Sequence, residues 1–274
     1  MSLGLTSYSS ARLLDKSLGQ TDFTPAATHY FGLFTTNPTD AAGTGYTELS
    51  DGGYARVSKT NNTTTWANWT SGAKKCQVEV VFGAATEDWT EVNGVGIWDA
   101  SSSGNLEAWG ALTNPRLILD TETLTIAANS GQITFLGDAG GNGGVTDYAA
   151  GKMMDHQFGA TDYTEMATCY FGLLTVNPGT DGSGDTEMTG TGYARDDITN
   201  DTSLWPGWSG GVTATGAAVA FTAGEDWAEA PGGGIWDDAS SGNLWFWGKL
   251  TTPKTILNGA TETFPAGSIT AWIQ

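Results

Sequence analysis

The sequence predicts an all-β protein made of two tandem homologous domains of β-sandwich or jelly-roll type, each opening with a short helix. Three observations carry this. One ordered set of short motifs occurs twice, offset by about 139 residues. The 274 residues include 39 glycines and 12 tryptophans, with 15% charged residues, which suits short strands and tight turns because glycine costs about 1 kcal/mol in a helix interior. Apolar residues alternate with others in runs bounded by glycine-rich turns, the strand period of two.

The duplication is read from the order of its words. Tyr30-Phe31-Gly32-Leu33 returns as Tyr170-Phe171-Gly172-Leu173, and Tyr54-Ala55-Arg56 returns as Tyr193-Ala194-Arg195. Trp66 and Trp69 answer to Trp205 and Trp208, Glu87-Asp88-Trp89 to Glu225-Asp226-Trp227, and Ile97-Trp98-Asp99 to Ile235-Trp236-Asp237. Gly104-Asn105-Leu106 matches Gly242-Asn243-Leu244. Solenoid repeats have periods of roughly 20–50 residues, so this is a whole domain in duplicate. The boundaries are a first domain over 1–136, a glycine-rich linker over 137–146 and a second domain over 147–274. A linker of such composition is a flexible tether, and the two halves are expected to fold separately.

Each repeat begins with helix punctuation. Ser7 or Asp147 serves as N-cap, Leu14 and Leu18 or Met154 and Phe158 stand four apart on one face, and Gly19 or Gly159 is the stop. No stretch reaches the roughly 20 apolar residues of a membrane span, and no signal-like segment opens the chain. Synthesis in cytoplasm-like conditions is the expectation. Cys76 aligns with Thr215 and Cys169 with His29; a disulfide of the domain would recur in both copies, so both are read as free thiols.

Strand faces follow from alternation. In residues 106–112 and 244–250 it places Leu106, Ala108, Gly110 and Leu112, with their counterparts, toward the core. Glu107, Trp109 and Ala111, or Trp245, Trp247 and Lys249, then face outward, which makes Trp109 and Trp247 candidate partner contacts. Trp98 and Trp236 are read as core residues between glycine-rich turns. Arg56 and Arg195, at equivalent places after a tyrosine, are read as structural pins, stacked or paired with a carboxylate such as Asp99 or Asp237.

No catalytic, metal or cofactor constellation is expected. His29 and His156 occupy non-equivalent places without ligand spacing, and neither a nucleophile elbow nor a phosphate loop is present. Glu87-Asp88 and Glu225-Asp226 recur beside a tryptophan, but spacing alone does not place two carboxylates across a sugar bond. The loop at Asp181 and Asp185 has alternating oxygen donors without the later bidentate glutamate of an EF-hand. With 11 basic residues against 30 acidic ones, binding to nucleic acid or anionic lipid is not expected. The halves differ: 13 acidic and 7 basic residues up to Leu136, 17 and 4 thereafter. Docking on an acidic surface is therefore expected through the first repeat, by Arg12, Lys16, Lys59, Lys74 and Lys75.

The series Tyr30-Phe31-Gly32-Leu33, Asn37-Pro38, Glu48, Gly53-Tyr54-Ala55-Arg56, Trp66, Gly96-Ile97-Trp98-Asp99 and Gly104-Asn105-Leu106 resembles a family of small structural proteins of tailed bacteriophages. Members are often labelled tail fibre proteins, and some resemble head-decoration proteins. The resemblance implies a non-enzymatic virion surface protein whose partners are the major capsid protein or other virion proteins, with homo-oligomers possible. The leading expectation is a decoration or cement protein on the capsid. The alternatives are a tail or fibre component, and a carbohydrate-binding receptor module stacking sugars on Trp66, Trp69, Trp205 and Trp208.

Overall fold

The computed structural model describes residues 1–19, 21–70, 72–134, 142–179, 181–208 and 212–273. The first repeat contains β1 (Ser2–Leu5), α1 (Ser7–Ser17), β2 (Thr28–Thr36), β3 (Thr47–Glu48), β4 (Val57–Thr60), β5 (Ala73–Lys75), β6 (Val80–Val81), β7 (Val92–Trp98), β8 (Leu106–Arg116), β9 (Thr125–Ile126) and β10 (Gln132–Thr134). The second follows with β11 (Gly143–Val145), α2 (Asp147–Gln157), β12 (Thr168–Val176), β13 (Thr186–Glu187), β14 (Asp196–Thr199), β15 (Thr213–Ala214), β16 (Val219–Thr222), β17 (Ala230–Trp236), β18 (Leu244–Lys254), β19 (Thr261–Phe264) and β20 (Thr270–Ala271). The all-β tandem architecture with one helix at the start of each repeat is thus as predicted.

In the first repeat one sheet runs β3-β2-β7-β8-β1-β10-β5, with β4 also on β2, and β6–β9 forms a ribbon beside it. The second repeat keeps the centre, β11-β18-β17-β12-β13 with β14 on β12, but its β15–β20 ribbon is detached from β11. Registers correspond: Tyr30 opposes Trp98 and Tyr170 opposes Trp236.

The helices start one residue earlier than punctuation suggested. Thr6 and Thr146 hold the cap positions. Thr146 Oγ1 accepts from the Ala149 N–H, and both threonine hydroxyls donate to the opposite strand, at Leu106 O and Leu244 O. A threonine between a strand and a helix satisfies both elements, which Ser7 and Asp147 cannot do from inside the first turn. Leu14, Leu18, Met154 and Phe158 form the buried stripe, and Gly19 and Gly159 end the helices at φ of +146° and +155°. Of the predicted linker, 137–141 lies outside the described residues; Gly143–Val145 is not a tether but a strand paired with β18.

A bulge corrects the predicted strand faces. Ile97 opposes Ala108 while Trp98 opposes Leu106, so Glu107 is the extra residue. It turns inward and is fully buried, as is Trp245 at the same place. Leu106 leaves the main core for the opposite face, where it joins Phe34 and Trp98 under Tyr30, Tyr46 and Trp109. The second repeat repeats this outer cluster with Leu174, Trp236, Leu244 and Trp247.

The halves are not independent. One continuous buried core runs through both repeats, and the helices are held reciprocally. Asn61 donates to Gln157 O at the end of α2, and Asn200 donates to Ser17 O at the end of α1. The Trp69 N–H binds Asp155 Oδ1 of α2, and the Trp208 N–H binds Asp15 Oδ1 of α1. Each tryptophan-bearing loop therefore grips the other repeat's helix. Gly151 makes room for this, since a Cβ there would lie 3.2 Å from the Trp69 ring. The Trp66 and Phe158 rings meet edge to face at 5.2 Å. The two sets of contacts are related by approximate two-fold symmetry, the relation of an isologous interface.

Candidate functional site

The repeated words of the sequence converge on one clamp in each repeat. Glu48 accepts a bidentate pair from Arg56, Nε to Oε1 and Nη2 to Oε2, both at 2.7 Å. It also accepts from Tyr54 Oη at 2.8 Å, while that oxygen takes the Leu33 N–H. The Arg56 guanidinium lies 4.1 Å above the Trp98 ring, a cation–π stack. The indole needs a flat floor: a Cβ at Gly32 or Gly96 would come within 2.7 Å of it. This explains the recurrence of Tyr-Phe-Gly-Leu, Gly-Tyr-Ala-Arg and Gly-Ile-Trp, each of which supplies one wall. Arg195, Glu187, Tyr193 and Trp236 reproduce the arrangement, with the guanidinium 4.3 Å above the ring.

The arginines are pins, but their carboxylate partners are Glu48 and Glu187, not Asp99 and Asp237. Those aspartates tie their own turns: Asp99 accepts from the N–H and side-chain amide of Asn105, and Asp237 does so from Asn243. The remaining arginine nitrogen reaches the same turns, Arg56 to Ala100 O and Ser103 O, Arg195 to Asp238 O and Ser241 O. Ser103 and Gly104 take left-handed backbone at φ of 54° and 72°. A partly buried ion pair thus fixes an exposed turn, at residues 101–105 in one repeat and 239–243 in the other. Trp98 and Trp236 are core residues, at 0% and 4% exposure.

The candidate docking cations divide. Lys16 and Lys74 are fully buried between the repeats, which corrects their assignment to a free surface. Lys74 Nζ lies 2.6 Å from Asp155 Oδ1, and burial pushes its ammonium pKa down against the pull of that carboxylate. Lys16 contacts Asp22, Asp162 and Glu165; burial lowers its pKa, but the acidic partners outweigh it and the net shift is upward. Arg12 lies over Phe23 at 3.9 Å and donates to Tyr8 Oη and Thr24 O. Lys75 is exposed and Lys59 half-buried. Trp109 keeps partial exposure, whereas Trp247 is 7% exposed and closes the outer cluster.

The tryptophans proposed for sugar stacking lie elsewhere than a surface. Trp66 and Trp205 are each 1% exposed, and Trp69 and Trp208 are half-buried in the loops that hold the helices. Trp66 Nε1 donates to His29 Nδ1, His29 Nε2 lies 3.0 Å from Glu107 Oε2, and Gln157 Nε2 donates to Glu107 Oε1. This buried polar chain crosses the repeat boundary; sequence reading missed it because its members come from four separate segments. Glu87 accepts the Gly52 N–H and Asp88 the Asp120 N–H, so this acidic pair ties loops together. Asp22, His156 and Asp162 stand close enough to share a cation, and the Lys16 ammonium lies among them. Asp181 binds the N–H and hydroxyl of Ser183. Cys76 and Cys169 are free and buried, and burial pushes the Cys169 thiol up to about 12.

A family model described as Gp80, Podophage GP4 fiber I protein gp80, matches residues 4–134 and again residues 144–271. The chain belongs to this family. The Gp80 model matches each repeat separately, so the duplicated segment is the one the family model describes. The chain is accordingly a phage fibre-type virion protein, as its sequence resemblance implied. No curated protein matches it significantly. The clamp lies inside the matched segment in both copies; Lys74, which contacts Asp155 of α2, is replaced by Thr213 in the second copy.

Proposed function

We propose that the chain is a non-enzymatic component of a virion fibre, which attaches to other virion proteins through the two rigid turns at 101–105 and 239–243. The observation that supports this is the investment of each clamp arginine in an exposed turn: the guanidinium bonds two turn carbonyls while stacked and ion-paired beneath. Loops held by a rigid scaffold are where contact function concentrates, because a preordered loop loses little conformational entropy on binding. Two such turns on a pseudo-symmetric body make attachment bivalent, so modest contacts give firm retention. The family description places its namesake in a fibre, which favours the tail over the capsid shell.

The test is to label purified virions with an antibody raised against the chain and to count copies per particle. Label confined to the tail, with a few tens of copies or fewer, is the expected result. Label spread over the head with hundreds of copies would overturn the fibre location in favour of capsid decoration. Placing tryptophan at Ser102 and Ser240 together should lower incorporation into particles without changing the melting temperature.

A further inference from the structure

The second repeat contains a cleft that the first has closed. In the first repeat β10 pairs in parallel with β1, Ser2 opposite Gln132 and Leu3 opposite Ile133, so the sheet passes without a break from β8 to β5. Leu3 and Ile133 are 2% and 0% exposed; their side chains fill the space beneath the joint. By strand register Gly143 and Ala271 stand at the equivalent positions in the second repeat: Ala271 opposes Thr213 as Ile133 opposes Lys74, and Gly144 opposes Trp247 as Gly4 opposes Trp109. There, among the described residues, β11 pairs with β18 and β20 with β15, and these two strands are not joined to each other. Between them lies a pocket of about 360 Å³, lined by Phe171, Val219, Phe221, Phe246, Phe264 and Ala271 among others.

We propose that this cleft receives an extended peptide segment of a partner virion polypeptide, which adds a strand along the β11 edge and places a branched apolar side chain in the pocket. Strand addition needs a free backbone edge for main-chain hydrogen bonds and a pocket for alternate side chains, and this cleft has both. The first repeat shows the filled form within the same molecule: a parallel strand on this edge, with Ile133 inserted. The volume lost between the copies, Leu3 to Gly143 and Ile133 to Ala271, is that of apolar side chains, which selects an apolar occupant. Gly143 has φ of +149°, and a Cβ there would lie 2.6 Å from Trp247 O, so this edge is committed to glycine and does not fill its own pocket. That the segment comes from a virion protein rests on the fibre reading; that the cleft takes a strand does not.

The experiment uses the full chain and a synthetic peptide of residues 127–134, the sequence that closes this joint in the first repeat. Saturable binding is expected, with new amide protection at 143–145 and 270–271 in hydrogen exchange. Ala271→Ile, which restores the first repeat's residue, should weaken binding at least tenfold while the thermal transition is kept. Should that variant fail to fold, the exchange map on the natural chain decides alone. Absence of saturable binding, protection elsewhere, or equal affinity in Ala271→Ile would overturn the proposal and would leave the particle-labelling result untouched.

Discussion

Replacing Lys74 by methionine tests the shared core most directly, because the second repeat already carries the outcome. The Lys74 ammonium, with its side chain fully buried, lies 2.6 Å from Asp155 Oδ1, whose side chain is 26% exposed. Methionine keeps the stem's packing and removes the charge, leaving Asp155 with the Trp69 N–H. Breaking a buried pair costs about 3–5 kcal/mol, chiefly because the partner charge is stranded. Partial exposure of Asp155 puts this case lower, at about 2–3 kcal/mol. Asp15 shows the stranded state: Thr213 stands where Lys74 would be, the carboxylate keeps the Trp208 N–H, and burial pushes its pKa above the ordinary value. Lys74→Met strands the Asp155 carboxylate in the same way. A carboxyl raised in the folded state binds more protons there than in the unfolded chain, so stability falls as pH climbs from the unfolded value of about 3.9 through the raised one. The deficit should therefore be largest at neutral pH and shrink toward pH 4. Urea unfolding at pH 7 and pH 4 measures this, with Asp155→Asn added to remove the stranded charge and recover most of the loss. A deficit below about 0.5 kcal/mol, far under the range for a broken buried pair, would refute the reasoning, as would a pH-independent one or failure of the double variant to recover.

Three further outcomes follow from the same geometry. Trp98→Ala should cost roughly 3–5 kcal/mol, the range for a buried large aromatic, measured by urea unfolding; a loss under about 1 kcal/mol would contradict its core position. Glu48→Gln, which removes the charge from the Arg56 pair and weakens its bond with Tyr54, should lower stability by about 1.5–3 kcal/mol. Its equivalent Glu187→Gln should add nearly independently, as distant sites do; strong non-additivity in the double variant would mean the clamps communicate. Finally, a chain cut by a protease site inserted within 137–141 should elute as one species of unchanged size at micromolar concentration, because the repeats share a core. Separate elution of two folded halves would restore the independent-domain reading.

Much of the fold was legible because short-range physics repeats itself in both copies. Glycine-rich turns around a tryptophan, a serine or acid at a helix start, an apolar pair four apart and short apolar alternation depend on nearby chain, and they predicted the helices, the strands and Trp98. The failures have one cause, which is that sequence does not show what faces a residue across space. Lys16 and Lys74 read as surface cations since nothing along the chain signals Asp162 or Asp155 opposite them. The bulge at Glu107 inverted a face, because alternation assumes an unbroken ladder and a one-residue slip turns every side chain over. Arg56 was identified as a pin, yet its partner was sought near Trp98 along the chain rather than at Glu48, eight residues before it. The tryptophan pair at 66 and 69 carried a readable signal, recurring beside Asn61 and Asn200, but the same recurrence fits a ligand surface and a grip on a helix equally.

Comparison of the two copies separates what each unit must do alone from what the pair does together. The clamp is the same in both, Glu48 with Tyr54, Arg56 and Trp98 against Glu187 with Tyr193, Arg195 and Trp236, since it closes within one repeat. The faces between repeats differ: Lys74 against Thr213, Lys16 against His156, His29 against Cys169, Glu107 against Trp245. In a symmetric dimer of one unit every interface residue appears twice and must suit both places, so a charge introduced once is introduced twice. Fusion in one chain removes that constraint, and Lys16 can face Asp162 and Glu165 without a second lysine opposite. The polar chain Trp66–His29–Glu107–Gln157 exists on one side only, whereas the other side joins Ser17 to Tyr163 through their hydroxyls. Each repeat has thereby become the specific complement of the other, and the open cleft beside β11 belongs to the same divergence: with the first repeat's joint sealed by Leu3 and Ile133, the second is free to leave an edge for something else.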